Sequence, residues 1–123
     1  MQFASIRIIT DDLDGMVRFY ERVTGTEARR PAAVFAEIVT GGAVLALATP
    51  VTVAMLGAAA PEPRTNGGVF LEFVVADVDA VFEELRAELD DVVLQPTTMP
   101  WGNRSALFRD PDGNLVNLFS RPA

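Results

Sequence analysis

The sequence predicts an α+β domain built from two copies of one strand–helix–strand–strand–strand (βαβββ) module. Apolar runs of strand character are interrupted by two segments whose apolar residues recur at helical spacing, and this order occurs twice. The two occurrences are also related by constant offsets. Adding 65 carries Ile8 to Phe73, Asp12 to Asp77, Leu13 to Val78, Met16 to Val81 and Val17 to Phe82, and adding 71 carries the Gly42–Leu47 run onto Gly113–Leu118. The difference of six residues implies an insertion in the second half. Two such modules in one chain predict pseudo-two-fold packing of two sheets around a shared cleft, with the helices outside.

The first strand is read over Phe3 to Thr10, which is rich in Ile and ends at Asp11-Asp12, a polar pair that announces a helix. Leu13, Met16, Val17 and Tyr20 then repeat at helical spacing as far as Gly25, a plausible terminator. Val34–Thr40 and Ala43–Thr49 flank Gly41-Gly42 as a hairpin. Pro50 to Gly68, rich in Pro, Ala and Gly, reads as a linker with one helical turn near Met55 and Leu56. The order then returns with a strand from Val69 to Ala76 and a helix capped by Asp77, with Val81, Phe82, Leu85 and Leu89 on its apolar stripe. Strands follow at Val92–Leu94, Ser105–Phe108 and Asn114–Phe119. The Asp110-Pro111-Asp112-Gly113 turn between the last two lacks the alternating oxygens and closing Glu of a calcium loop. The chain is thus one domain over 1–123, with module one at about 1–49, a linker at about 50–68 and module two at about 69–123.

Absent residue types narrow the chemistry. The chain has neither Cys nor His, so thiol nucleophiles, disulfides, zinc ribbons and the commonest general base are excluded. All its basic residues are Arg, which excludes a Schiff-base lysine. A net charge of −7 is the wrong sign for tracking a phosphate backbone or an anionic bilayer, so nucleic acid and membrane are not expected partners. The N-terminus shows no secretory pattern and no apolar run approaches bilayer length, which leads to the expectation of a cytoplasmic protein.

The order Asp12-Leu13, Phe19-Tyr20, Gly25 in the first half resembles the vicinal oxygen chelate superfamily, which includes glyoxalase I, extradiol dioxygenases and bleomycin-resistance proteins. The second half agrees, with Phe73–Ala80, Pro100-Trp101-Gly102-Asn103-Arg104 and Asp110–Asn114. The resemblance spans nearly the whole chain. It implies a half-barrel with a concave cavity, in a homodimer. Metal-dependent members place ligands at positions that fall here on Ser5, Ala46, Phe70 and Asn117. A hydroxyl, a methyl, a benzyl group and one amide cannot repay the lost hydration of a divalent cation. No metal and no cofactor are therefore expected.

Strand alternation predicts the cavity lining. If Ser5 faces the cleft, so do Phe3, Arg7 and Ile9, while Ile6 and Ile8 pack under the helix. In the second module Phe70, Glu72, Val74, Leu115, Asn117 and Phe119 share the cleft. Arg7 and Glu72 are related by the 65-residue offset. They either orient a ligand, neutralise each other or lie on a solvated face. Glu37, between Phe35 and Val39, is open to the same readings. Trp101 could stack on an aromatic or cationic ligand or seal the sheet end, and Arg104 could reach an anion or pair with a surface acid.

Ligand-binding candidates are thus Ser5, Arg7, Phe70, Glu72, Trp101, Arg104 and Asn117, with Glu72 and Glu37 as candidate catalytic groups. The first functional reading is a metal-free protein that sequesters or carries a small aromatic or cationic molecule. The alternative is a lyase, isomerase or dioxygenase-like enzyme of the same superfamily using carboxylate acid–base chemistry. Whether the chain is an enzyme stays open. A third reading is a vestigial cavity filled by Phe70, Met55 and Met99, in an interaction module.

Overall fold

The computed structural model describes all 123 residues. They divide into two units, Met1–Thr65 and Asn66–Ala123. In the first, β1 (Ser5–Ile9) leads into α1 (Leu13–Thr24), followed by β2 (Arg29–Ala32), β3 (Phe35–Val39) and β4 (Val44–Ala48). The second has β5 (Phe70–Val74), α2 (Val78–Leu85), β6 (Val92–Thr98), β7 (Arg104–Arg109) and β8 (Leu115–Ser120). The fold is α+β, with one four-stranded mixed sheet in each module.

Both helices start for the same reason. The Asp12 carboxylate accepts a hydrogen bond from the Gly15 N–H at 3.0 Å, and that of Asp77 accepts from the Ala80 N–H at 3.2 Å, each satisfying an otherwise orphan donor. α1 ends at Gly25, whose φ of 64° lets its N–H reach the Glu21 carbonyl at 2.9 Å. Each helix buries one stripe, Leu13, Met16, Val17, Tyr20 and Val23 in α1 and Val78, Phe82 and Leu85 in α2. In α2 the helical stripe stops short of Leu89. Arg86–Glu88 tightens into a 3-10 turn, so Leu89 lies past the helix end.

The strand orders are β1-β4-β3-β2 and β5-β8-β7-β6, and the registers repeat as well. In the parallel pairs, Ser5 lies opposite Val44 and Phe70 opposite Leu115, so the 65- and 71-residue offsets hold across the ladder. In the antiparallel pairs, Phe35 faces Ala48 and Ser105 faces Phe119. Parallel pairing of each module's first strand with its last requires the intervening helix and strands as a crossover.

Four further details depart from the sequence reading. β2 is the strand that the βαβββ module requires but to which the sequence reading assigns no residues, because all four are exposed and carry no apolar alternation. β6 runs on from Leu94 to Thr98 with register shifts and includes Pro96, which a sheet tolerates because β6 is an edge strand. The segment after β4 is more than one helical turn. It forms a 3-10 stretch over Pro50–Ala59 that reverses at Gly57 (φ 57°, ψ −129°), and its Val53 packs on Ile9, Ala48, Phe35 and Ala60. Ile6, placed under the helix by alternation, is 42% exposed, whereas Ile8 on the same face is buried. No helix is long and apolar enough to cross a membrane.

Candidate functional site

Each sheet turns one face to its helix and the other, here called its open face, away from it, and in the first module the end of that face at Ile9 and Ala48 is covered by Val53. Since side chains alternate along a strand, residues directly opposite in register share a face. In the second module Leu71, Val116, Leu118, Ala106 and Phe108 are buried on the helix side. The open face carries Phe70, Glu72 and Val74 from β5, Leu115, Asn117 and Phe119 from β8, and Ser105 and Leu107 from β7.

At the middle of that face Glu72 and Asn117 are direct register partners, and the Asn117 Nδ2 donates to the Glu72 Oε2 at 2.8 Å. Asn117 is only 9% exposed, yet its Oδ1 has no hydrogen-bond partner. The surroundings are mostly apolar, with Phe70 and Val74 about half exposed. Two residues beyond Phe119, the Arg121 guanidinium lies 5.8 Å from the Phe119 ring centre. The face therefore presents the Glu72 carboxylate as a hydrogen-bond acceptor among apolar side chains, with the Asn117 amide oxygen buried and unpartnered next to it.

In the first module the equivalent open face carries Ser5 and Arg7 on β1, Val44 and Ala46 on β4, and Glu37 on β3. Ala46 lies opposite both Arg7 and Glu37, so the small residue separates the two charges by two strand spacings. Glu37 also faces Arg29 of the edge strand β2, a cation that sequence reasoning did not single out. Neither Arg7 nor Glu37 forms an ion pair within the module.

Arg104 and Trp101 lie elsewhere. The Arg104 guanidinium holds Asp79, in the first turn of α2, through Nε and NH2 at 2.6 and 2.9 Å, and also donates to the Thr98 hydroxyl at 3.2 Å. This bidentate pair lowers the Asp79 pKa below its usual range and raises that of Arg104, with the hydrogen bond as the leading cause of both shifts. Trp101 sits in the β6–β7 connection, where the Gly102 N–H reaches the Met99 carbonyl and the Met99 N–H reaches that of Asn103, and it is 72% exposed. The Asp110–Asn114 segment is a turn held by its own first residue. The Asp110 carboxylate accepts from the Asp112 N–H, the Asn114 N–H and the Asn114 side-chain amide.

Sequence reasoning named Glu72 and Asn117 separately and missed their mutual bond. The signal was available, because the two offsets make β5 and β8 the counterparts of β1 and β4, whose parallel pairing aligns residue 72 with residue 117. The four positions implied as metal ligands hold Ser5 and Ala46 on one sheet, Phe70 and Asn117 on the other, and the Asn117 amide is already committed to Glu72. No group of three or more Asp or Glu converges anywhere in the chain. This donor set does not fit a divalent cation.

The family model described as Glyoxalase/Bleomycin resistance protein/Dioxygenase superfamily matches residues 2–118. No curated protein matches the chain. Among solved structures, a lactoylglutathione lyase from Agrobacterium tumefaciens is 27% identical with a TM-score of 0.74, over 97% of this chain and 92% of that one. A glyoxalase-related enzyme from Fulvimarina pelagi reaches a TM-score of 0.82 at 22% identity, over 98% and 88%. A glyoxalase/bleomycin resistance protein/dioxygenase from Nocardioides reaches 0.79 at 23% identity, over 99% and 84%.

Proposed function

Since the chain belongs to the glyoxalase/bleomycin resistance protein/dioxygenase superfamily, we propose that it is a small-molecule-binding member that works without a metal ion. The observation that carries this reading is the Glu72–Asn117 hydrogen bond on the open face of the second sheet. A polar pair set among Phe70, Val74, Leu107 and Phe119 is the make-up of a small-molecule site, where apolar area supplies affinity and a few oriented polar groups supply selectivity. In place of a metal ligand, the β8 residue here is an amide that orients a carboxylate. An acidic surface favours cationic ligands over anionic ones. The ligand is accordingly a small aromatic or cationic molecule that the protein sequesters or carries. Exposed Phe3, Val51, Met55 and Trp101 supply apolar surface for pairing two copies of the chain.

The test is a titration of the purified protein with a panel of aromatic and cationic metabolites and antibiotics, read by the fluorescence of Trp101 and by calorimetry. Saturable binding to the chelator-treated protein is expected. Indifference to the whole panel overturns the reading. The likeness to a lactoylglutathione lyase favours a second reading, in which Glu72 acts as a general base. Under that reading Glu72→Gln abolishes turnover of a bound compound while its affinity holds; under the first reading no turnover exists to be lost.

A further inference from the structure

A buried acceptor without a donor is costly, about 1–3 kcal/mol when the group is left unsatisfied. Asn117 Oδ1 is such an atom, on a side chain that is nine-tenths buried and whose other arm holds Glu72 in place. Beside it the Glu72 carboxylate keeps its second oxygen, Oε1, outside that bond. Glu72 forms no ion pair within its module, although Arg109 of the same sheet is engaged by Asp91 and Arg104 by Asp79. The middle of the face thus offers a charged acceptor and a neutral one on neighbouring strands, the first with only the Asn117 Nδ2 as donor and the second with none.

We propose that this pair is the recognition point for a planar cation with two parallel N–H donors, an amidinium or guanidinium head on an apolar or aromatic body. One N–H goes to the Glu72 carboxylate and the other to Asn117 Oδ1, while the body lies against Phe70, Val74 and Phe119. This deepens the reading of the chain as a small-molecule binder and rests on it. The cation supplies what both acceptors lack: a positive charge for the carboxylate and a donor for the amide oxygen. A single ammonium serves the first acceptor but does not span both, because two acceptors on adjacent strands call for a fork. Oδ1 lies below the accessible surface, so the complex requires side chains of this face to shift and open a path to it, and the half-exposed Phe70 and Val74 leave room for that shift. Arg121, stacked on Phe119, sets the limit of the site at that end and disfavours a second positive charge on the body.

Benzamidinium is the probe, with benzylammonium, benzamide and benzoate as controls, each titrated calorimetrically into the full chain. Benzamidinium is expected to bind at least about tenfold more tightly than benzylammonium, a difference of about 1.4 kcal/mol. Neither benzamide nor benzoate should match it. Glu72→Gln should weaken benzamidinium and benzylammonium alike, and Asn117→Leu should weaken benzamidinium more than benzylammonium. Should Asn117→Leu fail to fold, Glu72→Gln at an exposed position and the ratio of the two cations still decide the matter. Equal affinity for the two cations overturns the two-donor assignment. Binding of benzamide or benzoate that is indifferent to Glu72→Gln overturns it too, while leaving the small-molecule reading intact. No binding of any of the four probes overturns this inference, and the wider panel then decides the broader reading by itself.

Discussion

At the scale of single residues, caps and ion pairs make the most direct predictions. Gly25 closes α1 in the left-handed region, where a Cβ costs about 1–2 kcal/mol. No atom lies near enough for an added methyl to collide with it, so Gly25→Ala measures conformational strain alone. Denaturant unfolding should show that loss with an unchanged m-value. Asp79 has a folded pKa below the ordinary 3.8 because Arg104 donates to its carboxylate. The stabilisation from a depressed carboxylate is whole above the unfolded value and is lost as pH falls through the folded one. Asp79→Asn should therefore flatten the stability–pH curve below about pH 4 and leave its slope near neutrality alone. Asp14, held by Arg30 at 2.8 Å and shifted in the same direction, should behave likewise, and both effects should shrink in high salt because the pairs are exposed.

At the scale of elements, what matters is which face a helix or strand buries. Phe82 is the largest buried side chain of α2, 1% exposed, in a helix that packs on β6, β7 and β8. Phe82→Ala should cost about 3–5 kcal/mol in a urea titration. Phe3, 77% exposed ahead of β1, should tolerate the same change within about 0.5 kcal/mol in the free chain. The helices were legible because Asp caps, apolar spacing and a terminal Gly agree with one another. β2 was not legible, since an exposed edge strand with the sequence Arg-Arg-Pro-Ala buries nothing that would impose a pattern. The same logic hid the C-terminal half of β6, where Gln95, Thr97 and Thr98 are all exposed.

At the scale of the whole molecule, the repeated module explains why the residues of the candidate site fall at equivalent points of the two halves. A constant offset fixes which strands are equivalent, and equivalent strands have equivalent register. It also places Ser5, Ala46, Phe70 and Asn117 at matching points of the two sheets, where the donor set does not fit a divalent cation. Thermal unfolding of chelator-treated protein should therefore be unmoved by zinc, manganese or nickel. An ion bound to the folded state at a hundredfold excess over its Kd would add about 2.7 kcal/mol and raise Tm visibly.

The sequence alone determined the two-module α+β architecture, the helix boundaries at Asp12, Gly25 and Asp77, and the four residues standing at the implied ligand positions. Those features are local or periodic, and local chemistry is written in the order of the residues. Only the tertiary structure decided that Asn117 donates to Glu72 and leaves its own oxygen unpaired, that Arg104 is spent on Asp79, and that Glu37 faces Arg29. Each of these is a choice among partners distant along the chain, and strand register together with the packing of α2 makes the choice by deciding which side chains come within hydrogen-bond reach.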